Sequence, residues 1–200
     1  MGAPHVDSAA APADGTLVRR YLGGDEGAFD MLYSRYRKPL YGYLHKMLRG
    51  RQTDVDDLYQ RTWARILKSL TRYRERDRFL SWMLRIAHNL VVDFYRRERP
   101  EVELDSVSDS LAVEQEGPGS DLMKAEQRAA LHRAVSALPA EQREVVLLRL
   151  KGLSFKAIAE IQRTGLNTAL GRMHYALQKL RETLIPLRDT EPAVAEGGMG

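Results

Sequence analysis

None of the 200 residues is cysteine. That removes disulfides, thiolate ligands and thiol nucleophiles together, and fits a reducing compartment. No apolar run approaches the ~20 residues that a membrane-spanning helix needs. Phosphate-cradling glycine loops and a GxSxG turn are also missing. The histidines His5, His45, His88, His132 and His174 are scattered, with no two at the spacing that sets ligands on one helix face. Asp54, Asp56 and Asp57 lack the glycine and distal glutamate of a calcium loop, and read instead as an acidic helix start or a contact face. The expectation is a protein that is not an enzyme and has no metal and no cofactor. Met1 to Gly15 shows no basic patch followed by an apolar stretch, and Gly2 lacks the Ser or Thr that acylation would need four residues on. A cytoplasmic chain with no membrane partner is therefore expected.

Hydrophobic residues make up 44% and charged residues 29%, a globular balance. The net charge of +4 hides a strong division along the chain. Ala28 to Pro100 carries 17 Lys and Arg against 8 Asp and Glu, and Arg128 to Arg188 carries 11 against 4. Between them, Glu101 to Gln127 carries 1 against 8. Clustered positive charge attracts phosphate and releases its counterions, so two basic blocks suggest two surfaces for a polyanion. Charge alone equally allows two solvated helical domains.

Hydrophobic periodicity resolves each block into helices. Phe29, Leu32, Tyr33, Tyr36, Leu40, Tyr43, Leu44 and Met47 form one stripe, interrupted by Pro39. A second helix begins near Thr53, a candidate N-cap, with Val55, Leu58, Thr62, Ile66 and Leu70 inward. A third runs from about Phe79 to Arg97 with Met83, Ile86, Leu90 and Phe94 inward. The charged stretch Arg72 to Arg78 reads as an exposed loop, and the connector Glu101 to Gly119, ending in Gly-Pro-Gly, as a flexible linker. In the rear block Pro139 opens a helix that Lys151-Gly152 ends, and Ser154 caps a short helix with Ile158 and Ile161 inward. After Gln162 to Leu166 a longer helix starts at Asn167 or Thr168. Its apolar positions are Ala169, Leu170, Met173, Leu177, Leu180 and Leu184. Short helix, tight turn and long helix form a helix-turn-helix pattern, which an ordinary helical hairpin would also satisfy.

Twelve of the fifteen aromatic residues lie between Ala28 and Pro100, interleaved with arginine. That combination suits single-stranded nucleic acid, because a guanidinium neutralises phosphate while a ring offers a base a stacking surface. Most of the rings sit on inward stripes; Tyr73, Tyr95 and Trp82 remain as candidate base contacts.

Three segments together resemble the extracytoplasmic-function sigma factors of bacterial RNA polymerase. Asp54-Val55-Asp56-Asp57-Leu58-Tyr59-Gln60 is similar to that family's D-x-x-D-L-x-Q stretch. Trp82-Met83-Leu84-Arg85-Ile86-Ala87-His88-Asn89, continuing to Asp93 and Arg96, resembles W-L-x-R-I-A-x-N-x-x-x-D-x-x-R. Leu138-Pro139-Ala140-Glu141-Gln142-Arg143, followed by Leu153 to Ala159 and then Arg172, His174 and Leu180, is the third. The resemblance covers about Ala28 to Leu184 in the family's order.

It implies an all-α chain of two small helical domains. Sigma region 2 would occupy 25–100 and sigma region 4 would occupy 125–187, joined by a flexible acidic linker over 101–124. A flexible segment, 1–24, would precede them and a disordered tail, 188–200, would follow. The implied function is to bind core RNA polymerase and direct promoter-specific initiation. Asp54, Asp57, Leu58 and Gln60 would face the polymerase. Arg72, Tyr73, Arg74, Arg76, Arg78, Trp82, Arg85, Asn89, Arg96 and Arg97 would serve the melted minus-ten element, with Asp93 supporting that helix. Asn167, Thr168, Gly171, Arg172, Tyr175 and Lys179 would read the minus-thirty-five duplex. Implied partners are core RNA polymerase and promoter DNA, duplex and melted non-template strand, with room for an anti-sigma protein.

The chain departs from the family's usual residues at several positions. Leu170, Gly171 and Tyr175 thin the basic groove face, Arg163 and Gly165 replace the usual turn residues, and Arg61 stands where an acid is frequent. Two rival readings are a stand-alone helix-turn-helix regulator and a helical adaptor whose arginines only solvate it.

Overall fold

The computed structural model describes residues 11–74, 78–98 and 122–188, and among these every regular element is helical. They divide into two compact units, one comprising residues up to 44 with 52–98, the other 45–51 with 122–188.

The first unit begins with α1 (Asp14–Leu22), where a flexible segment was expected. The reason is long-range. Arg35 Nη1 and the Tyr36 hydroxyl, both on α2 (Glu26–Met47), donate to the two Asp14 carboxylate oxygens at 2.5 Å each, while Arg35 Nη2 donates to the Pro12 carbonyl at 2.9 Å. With Asp14 held, Leu17 and Val18 are buried. Along α2 the buried positions Ala28, Leu32, Leu40, Tyr43 and Leu44 keep helical spacing, and the helix continues through Pro39. Helix α3 (Gln52–Ser69) starts one residue before the expected cap and buries Val55, Leu58, Thr62, Trp63 and Ile66. The buried Thr62 hydroxyl donates to the Leu58 carbonyl at 2.7 Å, so its burial leaves no bare donor. A single 3-10 turn, Leu70–Arg72, ends this segment. Helix α4 (Phe79–Glu98) packs against α3 and buries Phe79, Met83, Leu84, Ala87, Leu90 and Val91. The expected stripe is thus displaced round the helix: Ile86 and Phe94 are only half-buried, and Leu84, Ala87 and Val91 take the inward side.

The second unit contains α5 (Leu122–Ser136), α6 (Ala140–Leu150), α7 (Phe155–Ile161) and α8 (Leu166–Arg188). Its start lies inside the expected linker by three residues; the rest of that linker and the expected tail beyond Arg188 fall outside the described residues. Ala134, Leu138, Val146, Ala176 and Leu180 form a buried cluster, with Val135, Met173 and Leu184 packed on it. Pro139 stands one position before α6, at the N-cap, and the Ser154 hydroxyl accepts from the Ala157 amide at 3.2 Å, capping α7. Leu170 and Leu177, expected inward, are 41% and 40% exposed, because Ala169, Ala176 and Leu180 centre the buried side.

Four helix ends close in the same way. After α1, α2, α6 and α7 the chain turns through a left-handed residue, with paired amides returning to the last-turn carbonyls. Gly24 (φ 98°) and Gly152 (φ 79°) fill that position after α1 and α6, whereas Arg49 (φ 52°) and Arg163 (φ 51°) fill it after α2 and α7, with a second left-handed residue, Gly50 (φ 73°), following Arg49. Glycine takes this conformation freely; a residue with a Cβ is held in it at a cost of about 1–2 kcal/mol. Gly165, two residues on, is not left-handed, so the turn places its glycine where none is required.

Candidate nucleic-acid and protein-docking surfaces

On α3, Asp57, Gln60 and Arg61 share one exposed face, as their three- and four-residue spacing requires. Asp57 accepts an ion pair from Arg61 Nε at 2.8 Å, with both side chains about half exposed at 47% and 53%. The arginine that departs from the resemblance therefore neutralises the carboxylate expected to face a partner. Asp54 is half-buried. Asp56 accepts from the Tyr41 hydroxyl and from Gln52 Nε2, each at 3.1 Å. Leu58, expected on this docking face, is 1% exposed and belongs to the core, since position 58 lies one turn from the buried Val55 and Thr62. Of the four residues assigned to this surface, Asp57 and Gln60 are the exposed ones.

The C-terminal end of α3 builds a different surface. Arg65, Lys68 and Ser69, together with Arg72 of the 3-10 turn, line an open pocket of about 310 Å³ that Ile86 and Asn89 of α4 close from the other side. Three cationic side chains and a carboxamide at a partly apolar hollow suit a planar, hydrogen-bonding ring carried on a phosphate chain. Arg72 and Asn89 were expected to meet nucleic acid. Arg65, Lys68, Ser69 and Ile86 were missed, although Arg65, Lys68 and Arg72 stand at i, i+3 and i+7, a single helix face.

Beside the pocket, Tyr73 and Trp82 are not free rings. Tyr73 meets Phe79 at 5.6 Å and Trp82 at 5.3 Å between centroids; Phe79 also meets Trp82 at 5.6 Å and Tyr36 at 4.9 Å. Phe79 is buried while Tyr73 and Trp82 stay half-buried, so each of those two retains surface beyond the stack. Burial, and then the hydrogen bond to Asp14, push the Tyr36 hydroxyl well above the ordinary tyrosine range, so it stays a neutral donor. Arg74 and Arg78 are exposed, and Arg76 lies outside the described residues.

Along α4, Arg85, Asn89, Val92 and Arg96 follow one another at four-three-four spacing. Arg85 and Asn89 are half-buried, Val92 is 48% exposed, and Arg97 is exposed. Arg96 Nη2 donates to the Asp93 carboxylate at 3.1 Å, a surface pair one turn apart on α4. Val92 was absent from the expected set; an exposed β-branched residue between two arginines is its only sequence signal.

In the second unit α7, the turn and α8 make the helix-turn-helix. Asn167, Thr168, Tyr175 and Lys179 are exposed on α8, and Gly171 is half-exposed. A Cβ built on Gly171 meets nothing within 4 Å, so no intramolecular packing calls for glycine there. Arg172 stands apart from the other residues expected to face a groove. It is half-buried, and its Nη1 donates to Gln162 Oε1 at 2.9 Å. Gln162 Nε2 in turn donates to Glu144 Oε2 at 2.9 Å and to the Glu141 carbonyl at 3.0 Å. Gln162 and Glu144 are 8% and 2% exposed, so a buried polar chain ties α8 to α6 through the residue that ends α7. Arg143, 1% exposed, donates to the Ser136 carbonyl at 3.0 Å and ties α6 to the end of α5.

Among the described residues no three His, Asp or Glu side chains gather as metal ligands, and no helix is long and apolar enough to cross a membrane.

Comparison with known proteins matches residues 32–101 to the sigma-70 region 2 family and residues 128–182 to the sigma-70 region 4 family. The RNA polymerase sigma factor CarQ of Myxococcus xanthus is 30% identical over 168 residues, covering 84% of this chain and 95% of that protein. The extracytoplasmic-function sigma factor BldN of Streptomyces coelicolor is 34% identical over 176 residues, 85% of this chain and 65% of BldN. The fold is like that of the sigma factor RpoE of Bartonella quintana, solved with the anti-sigma factor NepR. That likeness has a TM-score of 0.63 at 20% identity and covers 78% of this chain and 96% of RpoE.

Proposed function

The chain belongs to the extracytoplasmic-function sigma factors of the sigma-70 family, and from that membership we propose a division of labour between its two units. The first, over residues 25–100, docks on core RNA polymerase and holds the melted non-template strand of the minus-ten element. The second, over 125–187, binds the minus-thirty-five duplex. The observation that carries this reading is the cationic pocket of Arg65, Lys68, Arg72 and Asn89 beside the Tyr73–Trp82 stack, in a chain that also carries a helix-turn-helix.

Opening a duplex costs a few kcal/mol for each unstacked base. A pocket that accepts an extruded base, with guanidinium and ammonium groups for its phosphates, returns that energy only once the strands have separated. The same groups give a duplex less, so the pocket favours the open state over the closed one. Arg74 and Arg78 add phosphate contacts on the approach, and Arg85, Asn89, Val92 and Arg96 offer α4 as the surface along which the strand lies.

On α8, Asn167, Thr168, Tyr175 and Lys179 form the face for the upstream duplex, and the Gln162–Arg172 bond sets the angle at which that helix leaves the turn. Asp57 and Gln60 form the exposed part of the polymerase-docking face. An anti-sigma protein is included among the proposed partners, as RpoE of Bartonella quintana forms such a complex.

The test is reconstitution. Core RNA polymerase supplemented with the purified chain initiates at a matching promoter, and Arg72→Ala combined with Asn89→Ala slows open-complex formation while leaving core association unchanged. If the chain alone shifts promoter duplex as well as it does with core enzyme, and no association with core is found, the chain is a stand-alone regulator and the proposal fails.

A further inference from the structure

We infer that Arg163, in the turn of the helix-turn-helix, contacts a phosphate of the upstream duplex and is kept in an unfavourable backbone conformation for that contact. The inference rests on the duplex-binding reading of the second unit.

The first ground is conformational. Arg163 occupies, at φ 51°, the left-handed position of a helix-ending motif in which the Thr164 amide returns to the Ala159 carbonyl at 2.9 Å. The same motif after α6 holds Gly152, with the Leu153 amide returning to the Leu148 carbonyl at 3.3 Å. Helices α6 and α7 thus close alike, with glycine in one turn and arginine in the other. Strain alone does not assign a use to the side chain, since Arg49 shares the conformation; the charge around the turn does.

The second ground is where the charge falls. From Leu166 to Gln178 the leading half of α8 carries one cationic side chain, Arg172, and that guanidinium is engaged with Gln162. The exposed hydrophobic positions beside it, Leu166, Leu170, Tyr175 and Leu177, neutralise no phosphate, and Asn167 and Thr168 are uncharged. A helix entering a groove has phosphates on both flanks, and the residues nearest its N-terminus meet them first. Arg163 lies three residues before α8 begins and is exposed; its amide returns to the Glu160 carbonyl at 3.4 Å, while its guanidinium has no hydrogen-bond or ion-pair partner among the described residues. A glycine would relax the backbone there and remove the one uncommitted cation of the turn.

Arg49 supplies the control. It has the same conformation, at φ 52°, in the turn between α2 and α3, outside the helix-turn-helix.

The experiment compares holoenzymes made from core RNA polymerase and the full chain, either wild-type or carrying Arg163→Gly, Arg163→Lys or Arg49→Gly. The probe is a duplex selected by wild-type holoenzyme from a library randomised over the upstream element. Affinity is measured against salt, and thermal melting is measured on the free chains. Both glycine variants should melt about 2–4 °C above wild type, because each removes a left-handed Cβ. Arg163→Gly alone should bind more weakly, with its log–log salt slope reduced by about 0.9, so that a fourfold rise in salt costs wild type about 3.5-fold more affinity than the variant. Arg163→Lys should keep the slope. The inference is overturned if Arg163→Gly keeps wild-type affinity and slope, if Arg163→Lys loses as much as glycine does, or if Arg49→Gly loses the same slope. If wild-type holoenzyme selects no upstream sequence, the duplex-binding reading itself fails and takes this inference with it.

Discussion

Replacing Gln162 by methionine tests whether α8 is held at its angle by the buried polar chain or by apolar packing alone. Methionine keeps the length and most of the volume, so the cavity contribution is small. Three hydrogen bonds are lost: to Glu144 Oε2 at 2.9 Å, to the Glu141 carbonyl at 3.0 Å, and from Arg172 at 2.9 Å. Two of them involve a charged group, worth about 1.5–3 kcal/mol each where buried, and the third about 1 kcal/mol. These contributions are not additive, because Arg172 is half exposed and water replaces part of what its guanidinium loses. We expect a loss of about 2–4 kcal/mol in denaturant unfolding of the second unit. A double-mutant cycle with Arg172→Met isolates the outer bond, with an expected coupling of about 1 kcal/mol. Upstream duplex binding should fall with Gln162→Met even though Gln162 is 8% exposed, because α8 loses its fixed exit angle. The reasoning is refuted if Gln162→Met unfolds within about 0.5 kcal/mol of wild type, a difference expected of a neutral surface change. It is equally refuted if the two substitutions add without coupling.

Three further outcomes follow from single residues. Arg61→Glu releases Asp57 from its exposed pair and should tighten association with core polymerase several-fold at a stability cost near 0.5 kcal/mol, measured by fluorescence titration; weaker association would exclude Asp57 from the docking face. Gly171→Ala should raise stability by about 0.5–1 kcal/mol, since the added methyl meets nothing within 4 Å, and a simultaneous loss of duplex binding would show that the DNA backbone comes close at that point. The Tyr59 hydroxyl is pushed up to about 12 by burial and then by its hydrogen bond to Tyr33, so the neutral form is favoured in the fold. Its contribution to stability is complete below the ordinary tyrosine value of about 10 and is lost as pH rises from there toward 12. Phenolate absorbance should show two late transitions, of which Tyr59→Phe abolishes the earlier and leaves that of Tyr36; survival of both in that variant would assign the earlier shift to another tyrosine.

Several features were legible in the amino-acid order because their physical causes are local. The Ser154 cap, the stop at Lys151-Gly152 and the run of short helix, turn and long helix depend on groups a few residues apart, and the structure carries all three. The two helical units and their family were likewise readable, since three motifs in a fixed order survive any error in helix rotation. Finer choices were not readable. Periodicity marks an apolar side of α4 but not its centre, and Met83 and Leu90 belong equally to a stripe through Ile86 and Phe94 or to one through Leu84, Ala87 and Val91. Packing against α3 selects the second.

What the sequence determined by itself was the set of helices after α1, their grouping and the chemical character of each surface, because helix formation and amphipathicity are set within about two turns of chain. Tertiary structure alone decided that Leu58 faces the core, that Asp14 is seized by Arg35 and Tyr36 to order α1, that Arg172 is bound to Gln162, and that Arg65, Lys68 and Arg72 share a hollow with Asn89. Each of those pairs distant positions whose meeting depends on how whole helices dock, and docking is settled by the shape and burial of many side chains at once.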